Sequence, residues 1–190
     1  MKRVFVTVCA AVATAACGAD ILDELMPVPV RVERTGGAAP ATARAKVRVV
    51  TGSVAGAPAK TANEAYALEI APDGVTITAP GPEAERWARV TLAQLGRLAG
   101  GGGTPACRIA DWPRFPLRGL MLDCGRNYLS LETIRDMIGF MSAYKMNVFH
   151  WHLTDYFGWR LESKVYPQLQ SDQATTRFPG CYYTQKEFRE

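Results

Sequence analysis

Apolar and polar positions alternate most clearly between residues 46 and 99. Residues 46–50 form a short β-rich run. Residues 65–71 alternate apolar with small or charged side chains, and the turn at residues 72–74, Pro-Asp-Gly, leads into the β-rich run at residues 75–79. Because such a turn between two alternating runs is typical of a hairpin, this segment predicts one strand followed by a β-hairpin.

A helix is predicted directly after the hairpin. Pro82, Glu83 and Glu85 suit the first turn of a helix, where a missing N–H is harmless and acids are favoured. Apolar residues then recur at helical spacing, at Trp87, Val90, Leu92, Leu95 and Leu98. The four glycines at 100–103 end the helix. Strand, hairpin and helix together predict a small α+β domain over residues 46–111.

The pattern changes at residues 112–116, where two prolines flank an arginine and an aromatic residue and indicate a rigid connector. Residues 118–124 are nearly all apolar, as in a buried parallel strand. A helix follows from Ser130, the predicted N-cap, with a predicted core face of Ile134, Met137, Ile138, Met141 and Tyr144. Residues 147–155 form a second strand. Strand, helix and strand predict one βαβ unit with parallel pairing.

The first residues have a different character. Lys2 and Arg3 precede an apolar run at residues 4–16, which is typical of a secretory signal and too short to span a bilayer. Small residues lead directly to Cys17, as in a bacterial lipoprotein signal, so we predict lipidation of Cys17 after a signal peptide at residues 1–17. A plain cleaved signal with an incidental cysteine is the alternative. Residues 18–45, rich in Pro, Gly and Ala, predict a linker.

Composition places the chain among ordinary globular proteins, with 190 residues, 48% hydrophobic and 21% charged. The net charge of +4 is spread without clusters, which argues against nucleic-acid binding. Export implies an oxidising compartment, periplasmic or at the cell surface, with a lipid anchor to a bacterial membrane. The sequence allows, without requiring, a disulfide between Cys107 and Cys181, and Cys124 is expected to be a buried thiol in a strand.

Polar residues follow both strands of the βαβ unit. Asp123 and Arg126 come after the first strand, and His152 and Asp155 after the second. Because the carboxyl ends of parallel strands meet at one edge, these residues are predicted to share a cleft. An arginine fork and a carboxylate suit a polyhydroxyl ligand, and Trp159 suits a sugar platform. A local Asp123–Arg126 ion pair and a core role for Trp159 are the structural alternatives.

Three segments carry a family resemblance: FPLRGLMLDCGRNYLS, MSAYKMNVFHWHLTD and GWRLESKVYPQL. They resemble the β-N-acetylhexosaminidases of glycoside hydrolase family 20. The final CYYTQKEFRE resembles the family's segment leading into its second barrel helix, and the hairpin and helix before Trp112 more loosely resemble its small N-terminal domain. The resemblance implies an α/β fold, in which residues 112–190 begin a (β/α)₈ TIM barrel after the small α+β domain.

The resemblance also implies roles for individual residues. Arg126 matches the family arginine that holds hydroxyls of the terminal sugar, and Asp155 matches the first aspartate after HLT, which helps to organise the catalytic site. Asn127, Tyr156 and Phe157 stand where many relatives have His, Asp and Gln. The implied reaction removes terminal N-acetylglucosamine or N-acetylgalactosamine from glycans by substrate-assisted retaining hydrolysis, without a cofactor.

The family's catalytic Asp-Glu pair has no match after Asp155. Glu162, Glu187 and Glu190 are the glutamates in that part of the chain, and we expect them to be structural surface residues. A complete barrel needs roughly 250 residues. We therefore expect an incomplete barrel with no catalytic residue of its own, inactive and poorly folding unless another chain completes it. A non-catalytic exported protein that binds amino sugars is the alternative.

A metal site is the remaining rival interpretation. His150 and His152 would point to one side of a strand, an arrangement that binds zinc in some barrel enzymes. Such a site needs further ligands, and the chain contains only these two histidines. We therefore predict no metal site.

Overall fold

A computed structural model describes residues 20–39 and 45–189. The predicted signal peptide, the lipidation site Cys17 and Glu190 lie outside the described residues, as do parts of the predicted linker. Within the described ranges, no helix is both long and apolar enough to cross a membrane.

The first part of the structure is built on a five-stranded sheet. The strands are β1 (Arg31–Ala39), β2 (Val47–Thr51), β3 (Tyr66–Ala71), β4 (Gly74–Ala79) and β5 (Thr104–Asp111). Their order in the sheet is β1-β5-β3-β4-β2. The predicted hairpin is confirmed as the antiparallel pair β3–β4, and the β-rich run before it, β2, pairs in parallel with β4.

One face of this sheet is covered by helix α1 (Pro82–Leu98), which confirms the predicted helix. A short 3-10 helix, Ala59–Glu64, leads into β3. Alternate residues of the sheet, including Leu68, Ile70 and Ile77, pack against the apolar face of α1 in one buried core. We call β1–β5, the 3-10 helix at Ala59–Glu64 and α1 the sheet module.

Two strands of the sheet module were not predicted. The linker expected at residues 18–45 is wrong for Arg31–Ala39, because these residues form β1 and pair antiparallel with β5. Gly36 and Gly37, both with positive φ, lie in a bulge that interrupts the alternation of β1. The strand β5 follows the glycine run and has a proline as its second residue, which masks its β pattern.

The second part of the structure confirms the predicted βαβ unit. Strands β6 (Gly119–Asp123) and β7 (Val148–His152) are parallel and are joined by helix α2 (Leu131–Ala143). Ser130 caps α2 as predicted, since its side chain accepts a hydrogen bond from the N–H of Thr133. The second strand is shorter than predicted. Beyond it, β8 (Thr154–Asp155) and β9 (Gly158–Trp159) form a small antiparallel pair.

The βαβ unit has its own small core around Cys124, Ile134 and Tyr183. The predicted core face of α2 is only partly correct. Ile134 and Met141 are buried, whereas Ile138 and Tyr144 remain 46% and 40% exposed. A 3-10 helix, Pro167–Gln170, and a short helix α3 (Gln185–Arg189) complete the described chain.

The cysteines of the described chain are all free thiols. The disulfide considered between Cys107 and Cys181 is absent because the two residues belong to different parts of the fold. Cys107 is buried within the sheet module, while Cys181 lies in the loop before α3. Cys124 is buried, as predicted, but it follows β6 rather than lying within it.

Candidate functional site

Strands β6 and β7 end side by side and deliver the predicted site residues to one edge. Asp123 pairs with His152 in the strand register. The N–H groups of Cys124 and Gly125 both donate to the carbonyl of His152 at 2.9 Å. The chain after β6 is therefore held against the end of β7, as expected where parallel strands carry a site at their carboxyl ends.

Arg126 lies between two carboxylates. Its backbone N–H donates to Asp123 Oδ1 at 2.9 Å, and its guanidinium forms an ion pair with the same carboxylate. Its Nε also lies 3.4 Å from Asp155 Oδ2. The local ion pair between Asp123 and Arg126 is thus present together with the predicted meeting of Arg126 and Asp155. About half of the Arg126 side chain is exposed, so its remaining N–H groups face solvent.

Asp155 is held in its ionised form by its neighbours. The Tyr156 N–H donates to Oδ1 at 2.6 Å, and His152 Nε2 lies 3.1 Å from Oδ2. These contacts, led by the backbone hydrogen bond, hold the pKa of Asp155 below its usual value. The hydrogen bond from the Arg126 N–H lowers the pKa of Asp123 in the same way. Two ionised carboxylates and one guanidinium therefore lie together at the surface, and their acceptor and donor groups are of the kinds that form hydrogen bonds with hydroxyl groups.

Gly125 allows this close approach. A Cβ atom at this position would lie 2.8 Å from the N atom of Asp155 and 2.9 Å from its Cβ. Any larger residue must move the backbone that carries Asp155. The sequence places this glycine between Asp123 and Arg126 but does not reveal its contact with Asp155, because the contact joins segments that are distant in the chain.

A buried arginine stabilises the same edge of the site by hydrogen bonds to backbone carbonyls. Arg160 is fully buried, and its Nε donates to the carbonyl of Cys124 at 3.0 Å. Its Nη1 donates to the carbonyls of Phe178 and Cys181 at 3.1 and 2.9 Å. Arg160 therefore ties the chain after β6 to the loop before α3. The sequence alone does not reveal this role, because the carbonyl partners lie in segments distant from Arg160 in the chain.

The aromatic residues after Asp155 are at the surface. Tyr156 is 89% exposed and contacts Phe157 edge to face. Trp159 is 38% exposed, and its indole N–H donates to the carbonyl of Leu161 at 2.7 Å. Trp159 is therefore not a core residue. Its role as a sugar platform stays a prediction.

Two glutamates of the last segment have structural tasks. Glu187 accepts hydrogen bonds from the N–H and hydroxyl of Thr184, both at 2.8 Å, and the Thr184 hydroxyl accepts from the N–H of Glu187. This reciprocal pair is a capping box at the start of α3. Glu162 accepts from the N–H of Gln185 at 2.9 Å. Both contacts agree with the structural roles expected for these residues.

The two histidines of β7 do not stand in a metal-binding cluster. Their rings are 5.6 Å apart and nearly perpendicular, and His152 contacts Asp155. In the parts of the chain that the structure describes, no three His, Cys, Asp or Glu side chains are arranged to hold a metal ion.

Comparison with known proteins places both parts of the chain in one family. Residues 31–112 match the model for glycosyl hydrolase family 20, domain 2, and residues 115–190 match the model for its catalytic domain. The boundary between the two matches falls in the proline-rich connector.

Curated relatives and solved structures agree with these matches. The chain is 35% identical to a β-N-acetylhexosaminidase of Cellulomonas fimi over 94% of its own length and 36% of that protein. It is 42% identical to a β-hexosaminidase of Vibrio furnissii over 54% of its length and 19% of the relative. A β-N-acetylhexosaminidase structure from Bacteroides fragilis matches with a TM-score of 0.70 and 28% identity, over 86% of this chain and 40% of that one.

The chain thus spans well under half of the length of these relatives. The two family models cover both of its folded parts, and the matched structure shares their arrangement. The chain belongs to glycosyl hydrolase family 20.

Proposed function

We propose that the protein carrying this chain removes terminal N-acetylhexosamine residues from glycans by substrate-assisted retaining hydrolysis, and that this chain supplies residues that hold the sugar. The observation that carries the proposal is the meeting of Arg126 and Asp155, 3.4 Å apart, at the carboxyl ends of β6 and β7. Family membership supports the reaction class, and relatives named β-N-acetylhexosaminidase support the substrate class.

Arg126 and Asp155 have complementary tasks in this proposal. The exposed N–H groups of Arg126 donate to ring hydroxyls, while the carboxylates on either side fix the orientation of its guanidinium. Asp155 remains ionised because of its hydrogen bonds, so it accepts rather than donates. Hydroxyl recognition of this kind positions a substrate without performing acid–base chemistry.

The chemical step needs a general acid and a carboxylate that orients the acetamide of the substrate. Glu162 and Glu187 are already engaged at the start of α3. The proposal therefore assigns no catalytic residue to this chain. Residues 1–190 by themselves are expected not to hydrolyse the substrate.

The test is release of chromophore from a 4-nitrophenyl β-N-acetylglucosaminide. The longest protein that the gene encodes is expected to turn the substrate over, and Arg126→Gln is expected to lower kcat/KM at least tenfold. Arg108→Gln is the matched control, since Arg108 forms an exposed ion pair with Glu69 on the sheet module. Equal activity of Arg126→Gln and Arg108→Gln, or turnover by residues 1–190 alone, would contradict the assignment.

A non-catalytic protein that binds amino sugars is the second candidate. It is favoured by one observation: Arg126 and Asp155 lie together at the strand ends, while Glu162 and Glu187 make structural contacts. Binding of N-acetylglucosamine by the longest gene product without any hydrolysis would select this candidate over the hydrolase.

Export and lipid anchoring through Cys17 are part of the proposal, on the strength of the Lys2-Arg3 start and the apolar run that ends before Cys17. Cells given labelled palmitate are expected to label the wild-type protein. Cys17→Ser should abolish the label, and Cys9→Ser, inside the apolar run, should retain it. A labelled Cys17→Ser protein would contradict the anchor.

A further inference from the structure

The turn between α2 and β7 carries a residue that its backbone does not favour. Lys145 has φ of 57°, and among the described residues it is the one non-glycine with positive φ. The N–H of Met146 donates to the carbonyl of Met141 at 2.8 Å, and that of Lys145 to Ser142 at 3.2 Å. These are the two hydrogen bonds of a Schellman motif, whose left-handed position is usually glycine. A lysine at a position that favours glycine indicates that its side chain has a role of its own.

The side chain of Lys145 crosses from the βαβ unit into the sheet module. Its Nζ donates to Asp111 Oδ2 and to the Tyr66 hydroxyl, both at 2.8 Å. The Tyr66 hydroxyl in turn donates to Asp111 at 2.9 Å. The side chains of Lys145 and Asp111 are only 9% and 11% exposed, so this charge pair is shielded from water.

Arg118 makes a second crossing beside the first. Its guanidinium pairs with Glu64 at the end of the 3-10 helix, and the two side chains are 18% and 6% exposed. The indole N–H of Trp87 in α1 fixes the same carboxylate at 2.9 Å. Arg118 Nε also donates to the carbonyl of Lys145 at 2.7 Å. Arg118 and Lys145 are therefore hydrogen-bonded to each other as well as to the sheet module.

Both crossings lie at the amino ends of the barrel strands. Arg118 immediately precedes β6, and its carbonyl accepts the N–H groups of Asn147 and Val148 at 2.9 and 3.3 Å, where β7 begins. The opposite ends of the same two strands lead to Arg126 and Asp155. A slip of one residue between β6 and β7 would reverse the faces of the side chains and separate this pair.

We infer that Arg118 and Lys145 are positioning residues: by binding Glu64 and Asp111 of the sheet module, they fix the register of β6 against β7 and so place Arg126 beside Asp155. The sheet module then determines the geometry of the site and is not merely attached to the βαβ unit. The inference uses the positions of Arg126 and Asp155 but does not depend on their proposed role in sugar binding.

The test is amide hydrogen exchange measured by mass spectrometry on the protein carrying this chain. Glu64→Gln and Asp111→Asn each leave a buried cation with a neutral partner, which weakens one crossing. Exchange in peptides covering residues 119–125 and 148–152 is expected to accelerate at least tenfold. The peptide covering β4, which contains none of the residues that join the two parts of the fold, serves as an internal reference and should be unchanged. Glu69→Gln, which removes the exposed ion pair with Arg108, should leave all of these peptides unchanged.

Lys145→Gly distinguishes the role of the Lys145 side chain from the preference of the turn for glycine. Glycine relieves the positive φ, so a residue that served only the turn would give a variant with a higher Tm and unchanged exchange. The inference predicts a lower Tm and faster exchange in residues 119–125. A higher Tm for Lys145→Gly would overturn it. So would unchanged exchange of β6 and β7 in Glu64→Gln and Asp111→Asn, or acceleration that is equal in β4.

Discussion

Arg160 is a fully buried charged residue whose hydrogen-bond partners are all backbone carbonyls, from Cys124, Phe178 and Cys181. Its Nη2 has no partner. Burial without a carboxylate lowers the pKa of its guanidinium. Its three directed hydrogen bonds fix loops that apolar packing would leave loose. The site edge therefore depends on a side chain that never reaches the surface.

Gly158 is expected to be intolerant of substitution because Arg160 lies directly against it. A Cβ atom at Gly158 would lie 2.4 Å from Arg160 Cζ, and the three hydrogen bonds prevent the guanidinium from moving aside. Gly158→Ala should lower the free energy of unfolding by about 1–3 kcal/mol, as overpacking does. Urea unfolding measures the change.

The control for this substitution is Gly139→Ala. Gly139 lies in the exposed part of α2, and a Cβ atom there meets nothing within 4 Å. This change should raise the free energy of unfolding by about 0.5–1 kcal/mol, since alanine favours a helix. If Gly158→Ala proved as stable as Gly139→Ala, the account of Arg160 would be wrong.

The two carboxylates beside Arg126 should titrate below ordinary aspartates, because hydrogen bonds favour their charged forms. A depressed pKa in the folded state contributes stability above the unfolded pKa, and that stability is lost as the pH falls through the folded pKa. Carbon-13 NMR titration of Asp123 and Asp155 measures this directly. Arg126→Gln should raise both pKa values. Ordinary aspartate titration in the unmodified protein would contradict the site geometry.

At the scale of elements, helix α2 shows what local sequence can and cannot reveal. Ser130 was recognisable as its N-cap from the residue type and the apolar run that follows. The C-terminal end was not, because Lys145 occupies a position where glycine is usual. The signal that places Lys145 there comes from Asp111 and Tyr66, which are far away in the chain.

The cap of α2 gives a prediction of its own. Ser130→Ala removes the acceptor of the Thr133 N–H and should cost about 1 kcal/mol of the free energy of unfolding. Ser142→Ala is the matched change at an exposed position inside the same helix, and it should cost nothing. Thermal unfolding of both variants checks the difference, and equal midpoints would argue against the cap.

The strands were predictable only where alternation was regular. The hairpin of β3 and β4 combines alternating burial with a turn of strong local preference, so its sequence was sufficient. The bulge at Gly36 and Gly37 breaks the period of β1. Backbone hydrogen bonds to β5 nevertheless hold β1 in the sheet. Such hydrogen bonds leave no pattern of residue types in the sequence.

At the scale of the whole molecule, apolar side chains remain exposed along the βαβ unit. Met121, Ile138 and Phe140 are 49%, 46% and 50% exposed. Patches of this kind promote association. Sedimentation velocity should show concentration-dependent association of residues 1–190, reduced by Phe140→Glu. Val165→Glu, at a 77% exposed position away from β6, α2 and β7, should leave it unchanged. A monomer at all concentrations would refute this.

The candidate site was predictable in part. The family motifs placed Arg126 and Asp155 correctly at adjacent strand ends, because strand order in a βαβ unit follows from the sequence. The contacts of Gly125 with Asp155 and of Arg160 with Cys124, which fix the site, were not predictable. They join segments whose approach is decided by packing, and side-chain partners across such distances leave no periodic trace in one sequence.

The most direct test of the central claim is the affinity of the protein for N-acetylglucosamine, measured by NMR titration with Arg126→Gln and Arg108→Gln side by side. Chemical shift changes in the wild type are expected to centre on residues 123–126 and 152–156. Arg126→Gln should weaken binding at least tenfold, and Arg108→Gln should bind as the wild type does. Binding that is equally strong in all three, or shifts centred elsewhere, would contradict it.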